Sequence, residues 1–236
     1  MLPGYRIRSR PSGLRRGVEA TVFVGHFGIA NALAEADPRV PPLVAYAGVG
    51  FPDLLWGALV LLGVERARID PQAPPHARVR FDSYPYSHAL VLTNLIAVVP
   101  AAVVSLATGT PAAGAVFLIG SISHWLLDVV VHGRDLPVLG FGTDRKVGWG
   151  LWRWPAISFP LEFALYALPT WAFVHGPALW RLLIAGAAFH LLNVLTFFGG
   201  PRRRRATARA GSVRSYALVV LAGYAAVAWA LHGMVR

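Results

Sequence analysis

The sequence predicts an all-α fold, a polytopic membrane bundle of about six to seven transmembrane helices, and three observations lead there. Apolar stretches of about 20 residues, the length that crosses a hydrocarbon core of about 30 Å, recur along the chain. The composition is 56% hydrophobic and only 14% charged, against roughly 25% charged residues in ordinary soluble domains. Arginines gather in some connections and are nearly missing from the others, the asymmetry that the positive-inside rule turns into a topology.

The elements follow in order. A basic tail, residues 1–16, precedes a weak helix over about 17–34; Glu19, His26 and Asn31 lie inside it, which leaves open an interfacial or half-inserted helix there. Long apolar runs then occupy approximately 41–64, 87–107, 111–131, 155–175, 177–199 and 215–235. Connections near 36–41, 108–110 and 175–178 are short and almost uncharged, whereas 65–86, 133–154 and 200–214 are rich in arginine, proline and glycine. With seven spans these two sets fall on opposite faces, and the arginine-rich set belongs to the cytoplasm. The chain reads as one integral-membrane domain over 1–236.

The formal charge of +11 would suggest nucleic acid in a soluble protein. Placed as it is, the run Arg202–Arg205 reads as a topology and headgroup anchor, so the expected partners are membrane lipids and no nucleic acid is expected. Cysteine is missing from the sequence, which excludes disulfides, thiolate metal sites and cysteine nucleophiles. The basic start does not read as a cleavable signal peptide.

The most informative stretch is SISHWLLDVVVHGRD, residues 121–135. His124 and Asp128 stand one helical turn apart on one face, and His132 falls within roughly 40° of them. An aspartate near the centre of a spanning helix costs about 2.5 to 3.5 kcal/mol on insertion scales, so such groups face a bundle interior and mark working sites. At 1.5 Å per residue, His26, Asp53, His88, His124, Asp128, His132, Glu162 and His190 all fall in one half of the membrane. A polar cavity opening to the cytoplasmic face follows. Imidazole and carboxylate donors without sulfur suit a divalent ion, zinc first, with manganese or iron as alternatives.

Not every histidine belongs to this set. His190 with Asn193 reads as a hydrogen-bonded packing pair, and His76, His175 and His232 as interfacial or solvent-facing. Tyr84, Tyr86, Trp149, Trp152 and Trp154 read as an interfacial aromatic belt.

The segments GHFGIA (25–30), FPDLLW (51–56), YPYSHAL (84–90) and SHWLLDVVVHGRDLP (123–137), with KVGWGLW (146–152) and Glu162, resemble the YdjM-like family of bacterial membrane-bound metal-dependent hydrolases. The chain has Tyr86-Ser87-His88 where better-known members read Arg-Gly-x-Thr-His-Ser, and it lacks their second Asp and its His after Asp53. The resemblance implies a multi-pass protein of the bacterial cytoplasmic (inner) membrane and a hydrolase. Metal ligands would come from His26, Asp53, His88, His124, Asp128 and His132, with Glu162 or Asp53 taking a proton from water. Arg134, Lys146 and Tyr86 would contact the substrate, a lipid-borne or membrane-proximal ester or phosphodiester. Two other classes stay open: an ion or proton carrier whose His and Asp line a path, and a structural membrane protein whose polar groups only tie helices together.

Overall fold

A computed structural model describes residues 24–70, 72–73, 78–198 and 212–235. The basic tail, the start of the expected first helix, His76 and the run Arg202–Arg205 lie outside the described residues. Nine helical segments form the frame: α1 (Gly25–Ala36), α2 (Pro42–Leu61), the single turn α3 (Pro85–His88), α4 (Leu90–Thr108), α5 (Pro111–Val131), α6 (Pro155–Phe173), α7 (Gly176–Leu192), the short α8 (Val194–Phe198) and α9 (Val213–His232) among the described residues.

Local chemistry sets the helix ends. Prolines open α2, α5 and α6 in the first turn, where a missing N–H costs nothing. The Thr110 hydroxyl accepts from the Ala112 N–H at 3.3 Å, and the Ser212 hydroxyl from the Ser215 N–H at 3.1 Å. Among the described residues, five helical stretches are long and apolar enough to cross a membrane: 42–61, 90–108, 111–131, 176–198 and 213–232. The expectation of six to seven exceeds this number for two reasons. Over its 12 described residues, α1 reaches only about 18 Å, and α6 carries buried Ser158, Glu162 and Thr170 with two internal prolines.

At the centre, α2 packs on α1, α5 and α9, while α1 also packs on α6, and α4 on α5. The α2–α5 crossing is close because it is built from glycines: a Cβ on Gly120 would lie 2.8 Å from the Val49 nitrogen, and one on Gly48 would run into the Phe117 backbone. That approach brings the Pro52-Asp53 turn of α2 opposite His124 of α5.

The stretch 65–86, expected to be loop, folds instead as a hairpin of β1 (Arg66–Ile69) and β2 (Val79–Ser83), with Ile69 opposite Val79. A second small ladder pairs β3 (Leu136–Pro137) with β4 (Lys146–Val147) inside the expected loop 133–154. The strands were hidden because they are short and arginine-bearing, although Val-Arg-Phe-Asp-Ser alternates as a half-buried strand should. Both insertions sit at one end of the bundle: the Val91 and Leu92 N–H groups donate to Val138 and Leu139 at 2.9 and 3.2 Å. The start of α9 joins them, with Tyr216 against Trp56. The described parts of the three arginine-bearing connections therefore share an end, as the charge pattern implies.

Candidate metal centre

Four pieces of chain deliver the site. His26 sits in the first turn of α1, where Gly25 lets the helix press on α6: a Cβ there would stand 2.6 Å from a Glu162 carboxylate oxygen. Asp53 follows Pro52 on α2. His88 ends the single turn α3, and α5 supplies His124 and Asp128 one turn apart, with His132 just past its last residue. A glycine at position 148, with φ +143°, lets the 146–152 segment lie directly on the Gly133 backbone and close the end of α5.

Asp128 is the hub. Its Oδ1 lies 3.3 Å from His26 Nε2 and 3.7 Å from His132 Nε2, while its Oδ2 lies 3.3 Å from His124 Nε2 and 3.8 Å from His88 Nε2. Asp53 stands across from the second pair, 3.3 Å from His88 and 3.8 Å from His124. Side-chain exposure is 4% or less for these histidines and Asp128, and 15% for Asp53. Two triads, His26–His124–Asp128 and Asp53–His88–His124, have ligating atoms within 4.8 Å of one another. Separations of this order are what ligands at about 2.0 to 2.2 Å from an ion require.

Hydrogen bonds outside the nest fix which nitrogen faces in. His124 Nδ1 donates to the Val49 carbonyl at 2.8 Å, so its Nε2 holds the lone pair. His88 is set by a longer chain. The Glu65 carboxylate accepts the Ser87 hydroxyl at 2.6 Å and the N–H groups of Tyr86 and Ser87 at 2.8 and 3.0 Å. With its proton given to Glu65, the Ser87 oxygen accepts from His88 Nδ1 at 2.8 Å, and His88 Nε2 is left to ligate. Burial pushes the Glu65 carboxyl above its ordinary value, and the bonds from Ser87 and Tyr86 pull it back only in part. Nothing in the sequence pattern singled out Glu65; a lone acidic residue just past a helix end looks like a solvated charge, and the YSH motif it serves begins 21 residues further on.

The nest suits a divalent ion on its donors. Asp128 Oδ2 and the Nδ1 atoms of His26 and His132 are buried without a hydrogen-bond partner, an expensive arrangement unless something electropositive satisfies the carboxylate. The donors are nitrogen and oxygen only, the set that suits zinc, manganese or iron.

The remaining expected residues are placed as follows. Glu162 is buried and faces Asp128, His132 and Trp152. Asp135 lies 3.6 Å from His132 Nδ1. Arg134 and Lys146 are exposed on the adjoining loop, the Lys146 ammonium 5.9 Å from the Tyr84 ring centroid, and the Tyr86 side chain points outward. These three are not drawn into the nest. The aromatic belt is corrected in two members: Tyr84 and Trp152 are buried, packed on His88 and His132 respectively, while Tyr86, Trp149 and Trp154 are exposed. Their rings wall the nest because the hairpin and the 146–152 segment fold over it.

Comparison with protein-family models, with curated proteins and with solved structures returned no match.

Proposed function

We propose that this protein is a membrane-embedded, metal-dependent hydrolase of the bacterial inner membrane, acting on a lipid-borne ester or phosphodiester. The observation that carries the reading is the convergence of four imidazoles on the two oxygens of Asp128, with Asp53 opposite. His26, His88, His124, His132, Asp53 and Asp128 would hold the metal, most simply zinc. A divalent ion so held supplies Lewis acidity and brings the pKa of water toward neutrality.

The chain's own groups do the rest. Glu162, buried and within electrostatic reach of Asp128 and His132, would accept a proton from water, with Asp53 as the alternative base. Val49 and the Glu65–Ser87 pair keep His124 and His88 in the ligating tautomer. The Lys146 ammonium, separated from His88 by the Tyr84 ring, and exposed Arg134 offer charge to a phosphate at the rim.

A lipid substrate is supported by a cavity of about 220 Å³ between α2 and α9, apolar on nearly all its walls and including Gly50, Leu54 and Ala228. At its inner wall stands Tyr224, whose hydroxyl comes within electrostatic reach of Asp53. An acyl chain in that groove would bring its ester to the most exposed ligand of the nest.

The test is elemental analysis of the purified protein, followed by turnover of phosphodiester and ester lipids with and without chelator. Bound zinc, manganese or iron and chelator-sensitive release of product are expected. A protein that binds metal yet cleaves none of these bonds would defeat the hydrolase reading.

A further inference from the structure

We infer that the groove between α2 and α9 holds the acyl chain of the substrate and admits one chain, so that the substrate is a single-chain lipid rather than a two-chain phospholipid. This rests on the lipid-hydrolase reading above and names the substrate class of that site. The residues that select the chain, Gly50 and Ala228, belong to the groove wall and not to the nest.

The groove is long, narrow and closed at one end. On α2 its wall runs from Leu43 through Gly50 to Leu54, about 16 Å of helix at roughly 1.5 Å per residue. On α9 it runs back from Tyr224 through Ala228 to Trp229. Gly50 is the floor: a Cβ there would stand 3.3 Å from the Tyr224 ring and 3.8 Å from Leu54 Cδ1, so any side chain at this position enters the groove. Toward the hairpin the two helices close on each other, a Cβ on Gly57 falling 2.7 Å from Leu221 Cγ. At the other end Leu43 and Trp229 are 39% and 69% exposed and form the mouth. The cavity volume of about 220 Å³ is below the roughly 300 to 1,000 Å³ of pockets that enclose drug-sized ligands. One extended chain lies along such a slot; two side by side do not.

Polar groups set the direction in which the chain lies. Two tyrosines line the groove, Tyr46 and Tyr224. The Tyr46 hydroxyl is already committed, donating to Asn31. The Tyr224 hydroxyl is buried with no hydrogen-bond partner at bonding distance, although Asp53 is within electrostatic reach. An unmet buried hydroxyl is unfavourable, and an acceptor oxygen on a ligand relieves it. The ester or phosphoryl head therefore belongs at the Tyr224 end, where Leu54 of the groove adjoins Asp53 of the nest, and the tail runs toward Leu43 and Trp229. Gly50 and Ala228 line the path between these ends with the least side-chain bulk, and that bulk decides which chain passes.

The full-length protein in nanodiscs is irradiated with a monoacyl phospholipid carrying a diazirine on its chain, and separately with the diacyl counterpart at equal concentration. Mass spectrometry should find the monoacyl probe on residues 43–54 and 224–229, and the diacyl probe there only weakly. Gly50→Leu and Ala228→Leu should each cut the labelling roughly tenfold or more, the scale of a bulk change in an apolar pocket, with metal content unchanged. Retained metal shows that a variant is folded, and the two probes on the wild type decide the matter without any variant. Equal labelling by both probes, no labelling of these residues by either, or full labelling of Ala228→Leu would overturn the inference. Monoacyl labelling that both variants lose, without hydrolysis of any lipid, would sustain the single-chain groove while removing the proposed activity. Chelator-sensitive hydrolysis of two-chain lipids with the groove unlabelled would do the reverse.

Discussion

His124 and His190 are both buried histidines on apolar helices, and the molecule uses them differently. Around His124, within 4 Å, stand Asp53 and Asp128, and a backbone carbonyl turns its Nε2 inward. Around His190 stand Phe159 and Phe163, with ring centroids at 4.0 and 5.5 Å, and its Nε2 has no hydrogen-bond partner. The far half of the bundle makes the same contrast with neutral groups. There Asn31 donates to Thr170 at 2.7 Å and accepts from the Tyr46 hydroxyl, joining α1, α2 and α6 without a charge. A buried imidazole on an apolar helix therefore reads as a ligand only where carboxylates converge on it. Elsewhere it packs, and helices are tied by amide and hydroxyl groups.

The strongest way to break this comparison is Asp128→Asn. Shape is kept but the charge that a divalent ion needs is lost, so metal affinity should fall by more than the roughly 10- to 100-fold typical of an outer-shell change. The protein should still fold, since an unpaired buried carboxylate is itself unfavourable. His190→Ala should leave metal content untouched. Equal metal loss in the two variants, by elemental analysis, would erase the distinction.

Ser87→Ala comes next. It strips His88 Nδ1 of its acceptor and leaves Glu65 with backbone donors alone, so metal affinity should drop about 10- to 100-fold. Turnover should fall with metal occupancy and recover when metal is added in excess. Unchanged affinity in a competitive chelator titration would show that the Glu65–Ser87 chain does not position His88.

Thr170→Val addresses the neutral network. Polar ties between membrane helices average about 0.6 kcal/mol, so thermal unfolding in detergent should shift down slightly with metal content constant. Metal loss would mean that the two halves are not independent.

The smallest effect concerns Asp144, outside the spans. Slight desolvation acts against its carboxylate, but N–H groups of Leu139, Gly140 and Val138 donate to it at 2.8, 2.7 and 3.2 Å and hold its pKa below the usual value. A depressed folded-state pKa stabilises the loop above the ordinary aspartate pKa and loses that contribution as pH falls through the folded value. Protection of amides 138–140, measured against their intrinsic exchange rates at each pH, should therefore fall only at acid pH in the wild type, and already be lost at neutral pH in Asp144→Ala. Equal exchange in both proteins would refute this.

Much of the architecture is legible without coordinates. The apolar run 111–131 coincides with α5, 155–175 with α6 to within two residues, and 41–64 with α2 to within three, because helix formation is decided within a few turns by apolar length and by proline or glycine at the ends. His124 and Asp128 were readable as a pair for the same reason: a spacing of four residues fixes their common face. The depth argument also placed His26, Asp53 and His88 together, since a buried polar group is costly enough to restrict where it can sit.

Other features depend on contacts distant in sequence. Glu65 gains its role from a chain folded so that residue 87 returns to it, and the 66–83 hairpin exists only where two short strands find each other. The separation of His190 from the nest follows from α7 packing its last turns on Phe159 and Phe163 of α6. The approach of four imidazoles to Asp128 depends on how α1, α3 and α5 pack together. The sequence determined which groups are too costly to bury alone, because that cost belongs to each residue and its helix. Only the tertiary structure decided which of them share partners and in what orientation, because a carboxylate oxygen and an imidazole plane meet through the packing of separate helices.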